Sequence, residues 1–359
     1  MSWMILGHLF DWWLKADHSW IRSIMTMIFE PIGASGFLFI SGISIALSYR
    51  KRLIKARISD DYNYRMLRNS YLFRALFIFI IAIIYNSTLA IRLSDPQMIW
   101  TWFVLLTIAI SLFISWPLLK TPIVLRFFLG ISIIIFNQFL VTLLVPHSGR
   151  ASIDGFLYHF LYNDITQDPI MYFFPFFLIG TVVGDMIYKA FYLENENHSW
   201  NSSKKKILAI IIVFGIGFIL FGVMFKTPQF LTRSSFSWII YSLGFDLCLL
   251  TIFLVVEELN VLKPEKSYKF LFYYSFYSLT IYLAHNLLYF LLLNQLNVFN
   301  IWFFIAVTFI SIGIILRAIY KKWEGSASLK TQIGKISLAL TIKIEERKKF
   351  KQAKFSIKG

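Results

Sequence analysis

The chain has 359 residues, of which 58% are hydrophobic, 19% aromatic and only 15% charged, and its 35 Lys and Arg against 19 Asp and Glu leave a net charge of +16. Soluble domains carry about a quarter charged residues, so the composition excludes one; the cations gather between apolar runs, which argues against nucleic acid and for the positive-inside bias of a membrane protein. The single cysteine, Cys248, lies within an apolar run and excludes a disulfide framework or a Cys-x-x-Cys site.

In chain order, the first apolar run, 1–14, is shorter than the roughly 20 residues a span needs. It ends on Asp11-Trp12-Trp13, an interface-like girdle. No charged segment precedes it and it carries His8 and Asp11, so it reads as a helix and not as a cleavable signal. His8 and Asp11 stand at i and i+3 on one helical face, the spacing at which a carboxylate orients an imidazole. Asp17-His18-Ser19-Trp20 follows at the interface, where His18 also fits a plain surface loop.

Runs of spanning length then occur at 24–49, 72–91, 98–119, 122–145, 170–192, 207–225, 235–256, 270–293 and 301–320. The first of these closes on eight cations between Arg50 and Arg74. Placing that loop inside and alternating sides puts 29 of the 35 Lys and Arg inside. Gly42 with Ala46, and Gly180 with Gly184, are small-xxx-small pairs that permit close helix approach. The outer loop 146–169 interleaves Asp154, His159, Asp164 and Asp168 with aromatics. That pattern suits a sugar or amine acceptor, or an interfacial helix with solvated acids. Asn-x-Ser/Thr matches at Asn86, Asn197 and Asn201 fall within a span or inside and are discounted as glycosylation sites. The chain is thus expected to be all-α and polytopic, with about ten transmembrane helices, the first one short. A membrane domain covers 1–320, and 321–359 is a basic cytosolic tail, solvated or in contact with anionic lipid.

Ionisable groups within a bilayer are functional candidates by default. His8 and Glu30 lie roughly 9 Å below the outer ends of their runs, and His285 lies roughly 22 Å from the inner end of its own. All three fall at similar depth in the outer half. Ser275, Ser278, Tyr282, His285 and Tyr289 recur at spacings of 3 and 4, one polar stripe that must face protein or water. For each lone histidine the competing reading is a satisfied interhelical hydrogen bond. Arg126 and Asp185 are placed near the inner surface, able to snorkel.

Phe37-Leu-Phe-Ile-Ser-Gly-Ile-Ser-Ile-Ala-Leu-Ser-Tyr-Arg50 resembles the second-helix signature of heparan-α-glucosaminide N-acetyltransferase-like membrane proteins. Met4-Ile-Leu-Gly-His8 is similar to the end of that family's first helix, and Asp17-His18-Ser19-Trp20 to the segment after it. Ser278-Leu-Thr-Ile-Tyr-Leu-Ala-His285 resembles the late-helix motif shared with the related YeiB-like proteins. The family's Asp-x-x-Arg-Gly-like opening has no counterpart here, which predicts an upstream start or a shortened, inactive relative.

The resemblance implies a multi-pass cell-membrane acyltransferase with a cytosolic C-terminus. It would move an acyl group, acetyl foremost, from cytosolic acyl-CoA to a hydroxyl or amine of a sugar or similar acceptor on the far side. His18 matches the family's catalytic histidine and His8 the polar residue of its first helix. Asp11 or Glu30 would orient the imidazole, and His285 completes the set. Arg50, Lys51, Arg52 and Arg74 are expected to meet the CoA phosphates. The implied partners are the bilayer, acyl-CoA and a small acceptor, with neither metal nor nucleic acid, and a homodimer as a further option. A transporter or lipid-handling protein remains the rival class, since many spans and an intramembrane polar stripe suit either.

Overall fold

In a computed structural model, the structure describes residues 1–59, 62–193, 202–225, 230–259 and 269–356. Asn197 and Asn201 lie outside the described residues. Helices account for nearly all of the described chain, and the one departure toward strand pairing is an isolated bridge between Leu14 and Leu296. The α-helices are α1 (Ser2–Trp13), α2 (Ser19–Phe29), α3 (Ala34–Ile58), α4 (Tyr64–Leu93), α5 (Val104–Leu118), α6 (Ile123–Leu144) and α7 (Ile153–Leu161), followed by α8 (Ile170–Tyr188), α9 (Ser202–Met224), α10 (Phe236–Glu258), α11 (Lys269–Phe276), α12 (Ser278–Ala284), α13 (Ile301–Trp323) and α14 (Leu329–Ser356).

Among the described residues, seven helical stretches are long and apolar enough to cross a membrane. The runs that differ from expectation do so for local reasons. The run 24–49 breaks at Glu30-Pro31-Ile32, a 3-10 turn whose proline cannot donate to a continuing helix. The run 98–119 opens with another proline-led 3-10 turn, Pro96–Trp100, leaving only 15 residues for α5. There Asn86 donates to the carbonyls of Ile99 (3.1 Å) and Thr101 (2.8 Å), so it is a buried turn-holder within α4. The run 270–293 divides at Tyr277 into α11 and α12 and tightens into a 3-10 turn over His285–Phe290.

α8 is the central post, buried over almost its whole length. Lipid tails are as apolar as leucine, so helix association in a bilayer relies on close packing and buried polar pairs more than on exclusion from water. Both devices join α8 to α3. A Cβ on Gly42 would stand 2.1 Å from the Phe177 carbonyl oxygen, and one on Gly180 would stand 2.2 Å from that of Phe39. The two small-residue pairs predicted from the sequence therefore face each other.

One turn further, Arg50 places Nε 2.7 Å from Asp185 Oδ1 and Nη2 2.6 Å from Oδ2. Arg126 from α6 donates to the same carboxylate and, at 2.9 Å, to Thr181 Oγ1. Arg126 and Asp185 do not snorkel as expected; both are buried, because each offers the other a charged partner inside the bundle.

Two apolar clusters result. The larger joins α3, α4, α5, α6, α8 and α10, and the smaller joins α1, α11, α12 and α13. The basic tail is not free of this body: α14 packs along α4, burying Ser328, Ile333, Ser337 and Thr341.

Gly180→Val is expected to cost at least about 3 kcal/mol, since the obstructing atom is backbone and cannot rotate away. Gly217→Ala, with open space around its Cβ, is the benign control. Asp185→Ala should cost about 3–5 kcal/mol by leaving Arg126 buried without its anion. Thermal unfolding in detergent measures all three.

Candidate functional site

The end of α1 is sewn to the chain that follows His285. Trp13 Nε1 donates to the Leu288 carbonyl at 2.9 Å, and the backbone N–H groups of Asn294 and Leu296 donate to the carbonyls of Trp12 and Trp13, each at 2.8 Å. This stitching lays the His8 face of α1 against His285. Their ring centroids are 5.1 Å apart, and Trp12 stacks on both rings, at 4.9 Å from His8 and 5.8 Å from His285. His285 Nδ1 lies 2.5 Å from the Tyr282 carbonyl oxygen. A carbonyl can only accept, so Nδ1 is the donor there, and whenever the ring is neutral its lone pair is on Nε2.

These rings line a cavity of about 520 Å³ together with Asp11, Glu30, Tyr85, Asp168, Arg233 and Asn286. Arg233, from the turn before α10, bridges two carboxylates: Nη2 is 2.6 Å from Asp168 Oδ1 and Nε is 3.4 Å from Glu30 Oε1. Asp168 is fixed in turn by its backbone, whose N–H donates to the Trp102 carbonyl at 2.7 Å while its own carbonyl accepts from Thr107 Oγ1 at 2.5 Å. Asn286 donates to the Tyr85 hydroxyl across the seam. The chamber thus offers an imidazole lone pair, carboxylate oxygens and aromatic faces.

Two further cavities continue it along the seam between the two apolar clusters. A middle one of about 620 Å³ shares Phe37, Val104 and Tyr282 with the histidine chamber. Its apolar walls carry Ser41, Ser44 and Ser48 of α3 opposite Ser275 and Ser278. A third, of about 500 Å³, shares Arg74, Ser275 and Lys330 with the middle one and lies where α3 ends and α4 begins. Arg52, Lys55, Arg74 and Lys330 line it, with no carboxylate among the described lining residues. Burial first, and then the Arg74 charge, push the Lys330 ammonium below its ordinary value. The mouth is therefore a place where an anion relieves repulsion.

The sequence candidates distribute unevenly over this path. His8, Asp11, Glu30 and His285 line one chamber. Asp11 makes no ion pair with His8 among the described residues; aromatic stacking holds that ring instead. His18 sits half-buried in the 3-10 turn between α1 and α2 and is not among the chamber's lining residues. Arg52 and Arg74 line the basic mouth, whereas Arg50 is committed to Asp185 and Lys51 lies over the Tyr192 ring at 4.1 Å.

Sequence reasoning missed Arg233, Lys55 and Lys330. Arg233 had a signal, being one of only six cations assigned to the outer side. Lys330 had none that set it apart in a tail crowded with cations.

A family model described as heparan-alpha-glucosaminide N-acetyltransferase, catalytic, matches residues 1–221. No curated protein and no solved structure gave a match.

Arg233→Leu leaves Asp168 and Glu30 facing each other without their cation. Arg233 is 33% exposed, so solvent screens part of the effect. The expected loss is about 1–3 kcal/mol, read as a lower melting temperature that Asp168→Asn in the same chain partly restores.

Proposed function

The chain belongs to the heparan-α-glucosaminide N-acetyltransferase catalytic family, and from that premise we propose that it carries an acetyl group from acetyl-CoA, bound at one membrane face, to a hydroxyl or amine of a sugar-like acceptor at the other. The observation that carries this reading is the succession of three neighbouring cavities that share lining residues, cationic at one end and furnished with imidazoles and carboxylates at the other. A CoA thioester has the same polarity: an anionic head, a long and mostly uncharged arm, and a reactive end. Ser275, at the mouth, and His285, in the chamber, are ten residues apart on largely helical backbone, a rise of roughly 15 Å that an extended pantetheine arm matches.

In this reading His285 Nε2 takes the proton from the acceptor O–H or N–H as that atom attacks the thioester carbonyl. The C–S bond breaks, and the proton returns to the CoA thiolate through the adjacent His8 ring. Trp12 keeps both rings in register, and Glu30, Asp168 and Arg233 hold acceptor hydroxyls. Asp11 is the remaining chamber carboxylate. Arg52 and Arg74 meet donor phosphates.

The bias of Lys and Arg toward one side supports a cytosolic mouth and a cytosolic C-terminus. Adding the short α1, the 15-residue α5 and the broken α11–α12 run to the seven long stretches gives about ten crossings of the 1–320 membrane domain.

Labelled acetyl transfer in proteoliposomes tests the proposal. His285→Ala and His8→Ala should each lower turnover by about 10²-fold or more, with expression and melting temperature kept. His18→Ala separates two assignments: loss there with retention in His8→Ala would move the proton-transfer role to the turn after α1. Full activity in all three variants would remove the histidine mechanism. Solute flux that ignores acetyl-CoA would favour transport.

A further inference from the structure

We infer that helix α14 is a working part of the donor site: its Lys330 joins Arg52, Lys55 and Arg74 in a four-cation cradle that selects a nucleotide-bearing thioester over one with a bare pantetheine head. The inference rests on the acetyl-CoA reading above and names who recognises the donor's head.

α14 is held, not draped. Ser328 Oγ donates to the Phe276 carbonyl at 2.9 Å, and the Leu329 N–H donates to Thr280 Oγ1 at 3.2 Å. Ser328, Ser337 and Thr341 are at most 1% exposed, a burial that a merely solvated tail would not give its polar side chains. Further along, Arg65 of α4 and Glu345 of α14 approach to 4.0 Å. These attachments fix the register of the helix, so Lys330 stands at the junction of the basic mouth and the middle cavity, lining both.

Charge then identifies the ligand's head. Four cations border one space of about 500 Å³. A CoA head carries a phosphomonoester of about two charges at neutral pH and a pyrophosphate of about two more, so the charges balance. The uncharged end of a simple pantetheine thioester offers nothing to this mouth. Arg50, the neighbouring cation on α3, does not supply the fourth charge: one edge of its guanidinium is paired with Asp185 through Nε and Nη2, and it does not line the mouth. Lys330 is in the right place because it touches both spaces: it can bind the head where the arm departs inward.

Binding of acetyl-CoA and of acetyl-pantetheine to the full chain in detergent, measured by calorimetry, decides the matter. Lys330→Gln should weaken acetyl-CoA about tenfold and leave acetyl-pantetheine unchanged, with the unliganded melting temperature unaltered. Lys330→Arg should keep the affinity. Lys335→Gln, an exposed change on the same helix and not in the mouth, should do nothing. Raising the salt concentration should erode wild-type affinity for acetyl-CoA more steeply than that of Lys330→Gln. Wild-type affinity for acetyl-CoA in Lys330→Gln, or equal losses for both donors, would overturn the inference and leave the acetyl-CoA reading standing. A wild-type chain that binds no acetyl-CoA would overturn that reading and this one with it.

Discussion

Backbone contact between α3 and α8 sets the geometry of everything around it. Four small residues, Gly42, Ala46, Gly180 and Gly184, let two helices meet carbonyl to Cα where lipid supplies no hydrophobic drive to push them together. The Asp185 carboxylate then ties α3 and α6 to the same post through Arg50 and Arg126. An ion pair is a costly choice in a core, since charges must be desolvated before they attract. For a buried carboxylate an unpaired state is worse, and a bidentate guanidinium fixes rotation as well as distance. The post is consequently rigid at the end where α3 leaves the membrane domain, and the basic mouth opens beside it.

Rigidity on one side gives meaning to the seam on the other. The smaller cluster of α1, α11, α12 and α13 touches the larger one through Leu279, Tyr282 and Leu283 of α12, and cavities lie along the same seam. Ser41, Ser44 and Ser48 on one wall and Ser275 and Ser278 on the other are cheap to hydrate and small enough to leave width, which suits a passage for a polar, flexible arm. The break at Glu30-Pro31-Ile32 serves the same seam. It interrupts the helix between α2 and α3 at the residue whose carboxylate meets Arg233.

Periodicity made part of this visible in advance. Spacings of 3 and 4 put Ser275, Ser278, Tyr282, His285 and Tyr289 on one face; the first four line the cavities, whereas Tyr289 lies edge-on to Trp12 and is not among the lining residues. Rise per residue put His8, Glu30 and His285 at one depth, and all three border the same chamber. What periodicity cannot express is where a helix stops being regular. The 3-10 turn at His285 fixes which ring nitrogen is free, and it depends on a carbonyl three residues back, not on hydropathy. Pairings across loops were hidden for another reason. Asp168 and Arg233 sit in separate loops 65 residues apart, and nothing in either loop names the other. Among the cations, residue type and position suggested a phosphate contact for Arg50, yet the bond to Asp185, 135 residues away, decides its use.

The family match ends at residue 221, whereas Arg233, Tyr282, His285 and Lys330 all lie beyond it. Each chamber is incomplete without them: the matched part supplies His8, Glu30, Arg52 and Arg74, and the rest supplies the ring opposite His8, the cation between the carboxylates and the fourth positive charge at the mouth. A site divided in this way depends on how two clusters are aligned, more than on any one side chain. α1 is covalently part of the matched segment yet packs in the smaller cluster, stitched to Asn294 and Leu296 by backbone hydrogen bonds and to the Leu288 carbonyl by the Trp13 indole. It crosses the seam as a strap. By packing on the same side of the seam as His285, it sets the two imidazoles side by side, their ring centroids 5.1 Å apart.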